Sequence, residues 1–181
     1  YQLAFEWYRR SASNTFGRGN RDAQYFLGRM FELGQGVAQD NKSALEWYQK
    51  SAERENVEAQ FRLGEMYYEG IGVAKDYKRA SKWFRKSSEL GHKDAQFNLG
   101  QMFELGQGVA QDNKSALKWY QKSAEQGNES AEKSYRKIHD IVSRSSRSRI
   151  SKTQNKQPSS IQTTKVPPTT HSEWKPSGSG F

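Results

Sequence analysis

Residues 102–125 repeat residues 30–53 with one difference, Lys118 in place of Glu46, and a diverged copy lies between them. The anchors recur every 36 residues: Ala23, Ala59 and Ala95; Leu27, Leu63 and Leu99; Gly34, Gly70 and Gly106; Trp47, Trp83 and Trp119. A fixed period of this length marks a repeat array, in which each unit is one supersecondary element completed by its neighbours. Such a stack buries only thin layers, so it tolerates a hydrophobic content of 33% and a mean hydropathy of −1.06.

Each unit reads as two helices. In the first, Ala23, Leu27, Met30, Phe31 and Gly34 lie at i, i+4, i+7, i+8 and i+11, the stripe of a buried helix face. Gly28, Gly64 and Gly100 recur inside that helix despite a propensity cost of about 1 kcal/mol, so they are expected to admit a neighbouring group. Gly34 is placed to end the helix at positive φ, and Gly36 to keep the loop compact. Asp40 is a suitable N-cap for the second helix. Ala44, Trp47, Tyr48 and Ser51 form that helix's expected buried face, with the tryptophan as main anchor.

The segments follow from the register. Residues 1–12 match the second helix of a unit whose first half is absent, as in a piece of a longer chain. Leu3 and Trp7 then lack the upstream helix they would pack against. Complete units are expected at 22–56, 58–92 and 94–128. The first connection carries four additional residues, in a stretch that includes Phe16, Gly17, Arg18 and Gly19. In the last unit Tyr135-Arg136 replaces Leu-Gly and no G-x-G loop follows, so 129–142 is expected to be a capping helix. The segment 143–181 holds all four prolines and 15 Ser or Thr, and is expected to be disordered.

The pattern A-x-x-x-L-G-x-x-[YF]-x-x-G-x-G-V-x-x-D-x-x-x-A-x-x-W-[YF]-x-K-[SA]-[SA] resembles the Sel1-like repeat, a relative of the tetratricopeptide repeat. The resemblance spans residues 1–142. It implies an all-α fold, a right-handed α/α superhelical solenoid whose first helices line a concave face. It also implies an adaptor that assembles protein complexes. Some fungal relatives carry such repeats behind a kinase domain, so a regulatory extension of a larger protein is an alternative. One secreted branch of the family is cysteine-rich, and this chain has no cysteine.

Nothing in the sequence points to catalysis. His92, His139 and His171 lack metal-ligand spacing, and no nucleophile is paired with a base. The G-x-G turns lack a third glycine and follow helices, which argues against a dinucleotide site. No cofactor is expected. With no cysteine and no run of about 18 apolar residues, a cytoplasmic protein without a transmembrane segment is expected. Asn41, Asn113 and Asn128 head N-x-S triplets, which the repeat consensus itself produces.

Binding is the expected activity, with a protein or peptide as partner. The register of the first helices leaves Asp22, Glu58 and Asp94 outside the stripe, together with the candidate contact residues. These are Tyr25, Arg29 and Glu32 in the first unit, Phe61, Glu65 and Tyr68 in the second, and Phe97, Gln101 and Glu104 in the third. Tyr25, Phe61 and Phe97 either form an aromatic ladder for a peptide bearing Lys or Arg or seal one unit against the next. Nucleic acid is the less expected partner, because the net charge of +9 sits mainly in the tail, where seven bases meet one acid. Arg144, Arg147, Arg149 and Lys152 offer an alternative contact with an anionic surface, tunable by phosphorylation of Ser145, Ser146, Ser148 and Ser151.

Overall fold

The computed structural model describes residues 1–13 and 20–154, with side chains placed through residue 144. The described residues form eight helices and no strands: α1 (Gln2–Ala12), α2 (Arg21–Leu33), α3 (Asn41–Ala52), α4 (Val57–Glu69), α5 (Tyr77–Glu89), α6 (Lys93–Leu105), α7 (Asn113–Glu125) and α8 (Glu129–Gln154). Each helix packs on the next, most closely in the pairs α2–α3, α4–α5 and α6–α7. The fold is an α/α solenoid.

Local chemistry sets the helix ends. Asp40, Asp76 and Asp112 cap α3, α5 and α7 through side-chain oxygens that accept backbone N–H groups. Gly34, Gly70 and Gly106 end α2, α4 and α6 at φ of 65°, 80° and 68°, where a Cβ would be strained.

Packing within a unit turns on the mid-helix glycine. A Cβ on Gly64 would lie 2.5 Å from Cδ1 of Phe84, so the ring of α5 is seated directly on the backbone of α4. Gly28 and Gly100 seat Tyr48 and Tyr120 in the same way. These three rings are 0–1% exposed and are the largest fully buried side chains. The tryptophans are therefore not the main anchors: Trp119 is 7% exposed, while Trp47 and Trp83 are only partly buried. Each lies one position, or 100° of helix rotation, from the buried ring, which leaves Trp47 and Trp83 toward the rim of the core. Lys50, Lys86 and Lys122 cover the three indoles, with Nζ 4.2, 4.4 and 4.9 Å from the ring centroids.

Packing between units uses polar groups in register. Gln24, Gln60 and Gln96 donate from Nε2 to the carbonyls of Ala12, Ala52 and Ser88, tying each first helix to the helix before it. The N-cap side chains Asn56, His92 and Asn128 accept from the helices they begin and reach back to Asp22, Glu58 and Asp94 in the first turns of α2, α4 and α6. Asp22, Glu58 and Asp94, which lie outside the buried stripe, are thus joints. Gly108 makes a further joint: a Cβ there would collide with the Tyr77 carbonyl oxygen of the preceding unit. The second glycine of the G-x-G turn serves this close approach rather than loop compactness alone.

At the amino-terminal end Leu3 and Trp7 of α1 are 89% and 62% exposed. At the other end Ala131 and Ile138 are buried against α7. Helix α8 runs past the expected boundary at 142 to Gln154, because extending a nucleated helix costs far less than starting one. The insert Phe16–Gly19 and the remainder of the expected tail, 155–181, lie outside the described residues.

Candidate protein-binding face

The first helices α2, α4 and α6 present their outer residues around a cleft of about 370 Å³. Four of the expected contact residues line it: Glu32 from α2, Glu65 and Tyr68 from α4, and Gln101 from α6. Arg62, Glu69 and Asn98 complete its polar wall, and Met66, Ile71 and Phe84 its apolar floor. Arg62 and Asn98 occupy one register position, shared with Phe26, that is absent from the expected contact set. The available signal was the variation of residue type at that position between otherwise similar units.

Charge in the cleft is organised around Arg62, whose Nη1 donates to Glu65 Oε2 at 2.9 Å. Burial works against the guanidinium charge, but the carboxylates of Glu65 and Glu32 outweigh it and hold Arg62 above its ordinary range. Burial raises the Glu65 carboxyl, and Arg62 offsets part of that rise. Three carboxylates against one guanidinium make the cleft acidic.

Glu32 is also held from below. Tyr48, pushed upward by burial and by the adjoining carboxylate, donates its hydroxyl proton to Glu32 at 2.5 Å. Tyr120 does the same to Glu104 at 2.6 Å. The middle unit departs from this arrangement: Phe84 has no hydroxyl to donate, and Tyr68 stands where the other units have glutamate. Its hydroxyl donates instead to Gln107 at 2.9 Å.

The remaining expected residues lie apart from the cleft. Tyr25 packs on Tyr48 with centroids 5.7 Å apart, Phe61 on Phe84 at 5.9 Å, and Phe97 on Tyr120 at 5.7 Å. Each ring is laid against the second helix of its own unit, and Phe61 is buried, stacked also on His92 at 4.3 Å. The aromatic row thus packs within its own units, with Tyr25 and Phe97 partly buried. Arg29 borders a separate hollow of about 240 Å³ beside α1. Glu104 meets Lys137 of α8 at 3.3 Å. No group of three or more acidic, histidine or cysteine side chains suited to a metal occurs among the described residues.

A family model described as Sel1 repeat matches residues 1–16, 21–56, 57–92 and 93–128. The chain belongs to the Sel1 repeat family. Its Sel1 units are 40% identical to a solved structure of c5321, a protective antigen present in uropathogenic Escherichia coli strains that displays an SLR fold. That match has a TM-score of 0.68 over 72% of this chain and 27% of the antigen. A Sel1 repeat protein from Oxalobacter formigenes is 31% identical, with a TM-score of 0.66 over 74% of this chain and 58% of that one. The Helicobacter pylori cysteine rich protein B shares the fold at 22% identity and a TM-score of 0.55, over 72% of this chain and 90% of that one. The chain spans less than two thirds of the first two relatives. Sel1 repeat solenoids generally mediate protein–protein interaction, typically as non-catalytic scaffolds. No helix among the described residues is long and apolar enough to cross a membrane.

Proposed function

We propose that this chain is a non-enzymatic cytoplasmic adaptor that holds a partner protein or peptide on the face built by α2, α4 and α6. The supporting observation is the acidic cleft of about 370 Å³ formed where Glu32, Glu65, Tyr68 and Gln101 of three successive units converge. Its three carboxylates suit a Lys or Arg side chain of the partner, and the floor of Met66, Ile71 and Phe84 suits an adjacent apolar one. Tyr25, Arg29, Phe97 and Glu104 extend the same row of helices on either side of this centre. The absence of cysteine fits a reducing compartment.

Selection of a random displayed-peptide library on the full chain tests the reading. Recovered peptides should pair a basic residue with a nearby apolar one, and Glu65→Gln with Tyr68→Ala should weaken them at least tenfold. Circular dichroism of the variant should match the parent. Peptides that ignore these changes, or that bind only while Arg144, Arg147, Arg149 and Lys152 are intact, would place recognition elsewhere.

A further inference from the structure

The charge of the repeats is nearly balanced in sum, but the fold separates its signs. Helix α4 carries three acids and one base, whereas α5 carries five bases and one acid and α7 three bases and one acid. On the second helices these bases are ordered. Lys42, Glu46 and Lys50 lie at i, i+4 and i+8 on α3, so they share one stripe. Lys78, Lys82 and Lys86 occupy the same stripe on α5, and Lys114, Lys118 and Lys122 on α7. All nine are exposed, on the side of the helix opposite the buried positions Ala44, Tyr48 and Ser51 and their counterparts. The result is a three-by-three grid of eight lysines and one glutamate, and Glu46→Lys118 is the sole difference between the two near-identical copies.

Two further observations give the grid a purpose. None of the eight lysines is ion-paired among the described residues. The third lysine of each helix lies over a tryptophan face, 4.2 to 4.9 Å from its centroid, which restrains the ammonium group before any ligand arrives. A restrained, unneutralised cation repeated once per unit suits a ligand whose anions also repeat at regular intervals.

We infer that the outer stripe of α3, α5 and α7 docks the phosphodiester backbone of a nucleic-acid duplex. Lysine meets phosphate as a point charge, and a duplex is a uniformly charged rod. The indoles lie beneath lysine and are not free for base stacking, so binding here is independent of sequence. A bilayer is disfavoured because interfacial attachment draws on apolar side chains, and none of the exposed large hydrophobics belongs to α3, α5 or α7. This surface lies on the helices opposite the acidic cleft, and the inference does not rest on the peptide reading.

The test measures anisotropy of a labelled duplex of about 20 base pairs, as DNA and as RNA, against the full chain across a salt series. Lys82→Gln with Lys118→Gln should raise Kd at least tenfold at low salt. It should also reduce the slope of log K against log salt by about 0.9 for each phosphate that is no longer neutralised, or roughly 2 in all. Glu46→Lys, which completes the grid, should tighten binding and steepen the slope, so the inference does not depend on loss of function alone. Three outcomes would overturn it. The grid variants leave the slope unchanged while neutralising Arg144, Arg147, Arg149 and Lys152 abolishes binding; phosphatidylserine vesicles bind and neither duplex does; or polyglutamate binds more tightly than both.

Discussion

Gly64→Ala isolates the packing device on which each unit depends. On an exposed helix the change would stabilise, because alanine exceeds glycine by about 1 kcal/mol in helix propensity. Here the new Cβ would stand 2.5 Å from Cδ1, 2.6 Å from Cε1 and 3.0 Å from Cγ of Phe84. That ring is 1% exposed and cannot swing into solvent, so α4 and α5 must move apart by roughly an ångström. Overpacking of this kind costs about 1–3 kcal/mol, and a clash with three atoms of one rigid ring belongs at the upper end. After the propensity gain the net loss should be about 1–2 kcal/mol. Gly28→Ala and Gly100→Ala, with nearest approaches of 2.7 and 2.8 Å, should lose less. Urea titration followed by circular dichroism reads this as a fall in midpoint at constant slope. A rise in midpoint for Gly64→Ala would refute the reasoning, since it would show that the ring is not seated on the glycine.

Three further outcomes follow from single contacts. Glu55 is the only non-glycine residue at positive φ among the described residues, at 61°, where the later units place Gly91 and Gly127. Glu55→Gly should therefore stabilise by about 1 kcal/mol, read as a higher melting temperature. Tyr48→Phe removes the donor beneath Glu32 and should cost about 1–2 kcal/mol. Adding Glu32→Gln removes the carboxylate left without its donor and should recover part of it, as a double-mutant cycle would show. Asp40 and Asp112 have carboxyls lowered from 3.8, first by the hydroxyls of Ser43 and Ser115 and then by the backbone N–H groups of Lys42 and Lys114. Their stabilising contribution is complete above 3.8 and is lost as pH falls through the lowered values. Asp40→Asn with Asp112→Asn should therefore flatten the dependence of melting temperature on pH below about 4.

Much of the fold was legible because the array writes each structural demand several times. Asp40, Gly34 and Ala44 answer backbone and close-packing requirements that have few chemical solutions, so they recur unchanged and identify caps, turns and contacts. Trp47 misled because hydrophobicity and size indicate that a ring is covered, but not by which part of the structure. The neighbouring Tyr48 takes the seat on Gly28, and the Lys50 ammonium lies over the indole. The candidate cleft was only half legible. Glu32, Glu65, Tyr68 and Gln101 were found from register, but Arg62 belongs to a different register position and reaches the cleft along its own side chain. Phe61 has the same register as Tyr25 and Phe97, yet it is more completely covered because His92 replaces asparagine at the next N-cap and stacks on it.

The period, the helix pairs, their caps and the family can be read from the order of residues, because they follow from interactions within about one repeat. Which outer residues converge, and how their charges combine, is set by the stacking of the units. Residues 36 positions apart become neighbours only after the units stack. That stacking gathers carboxylates of the first helices around one cleft and sets the lysines of the second helices out as a grid, from a sequence whose repeat charges nearly cancel in sum.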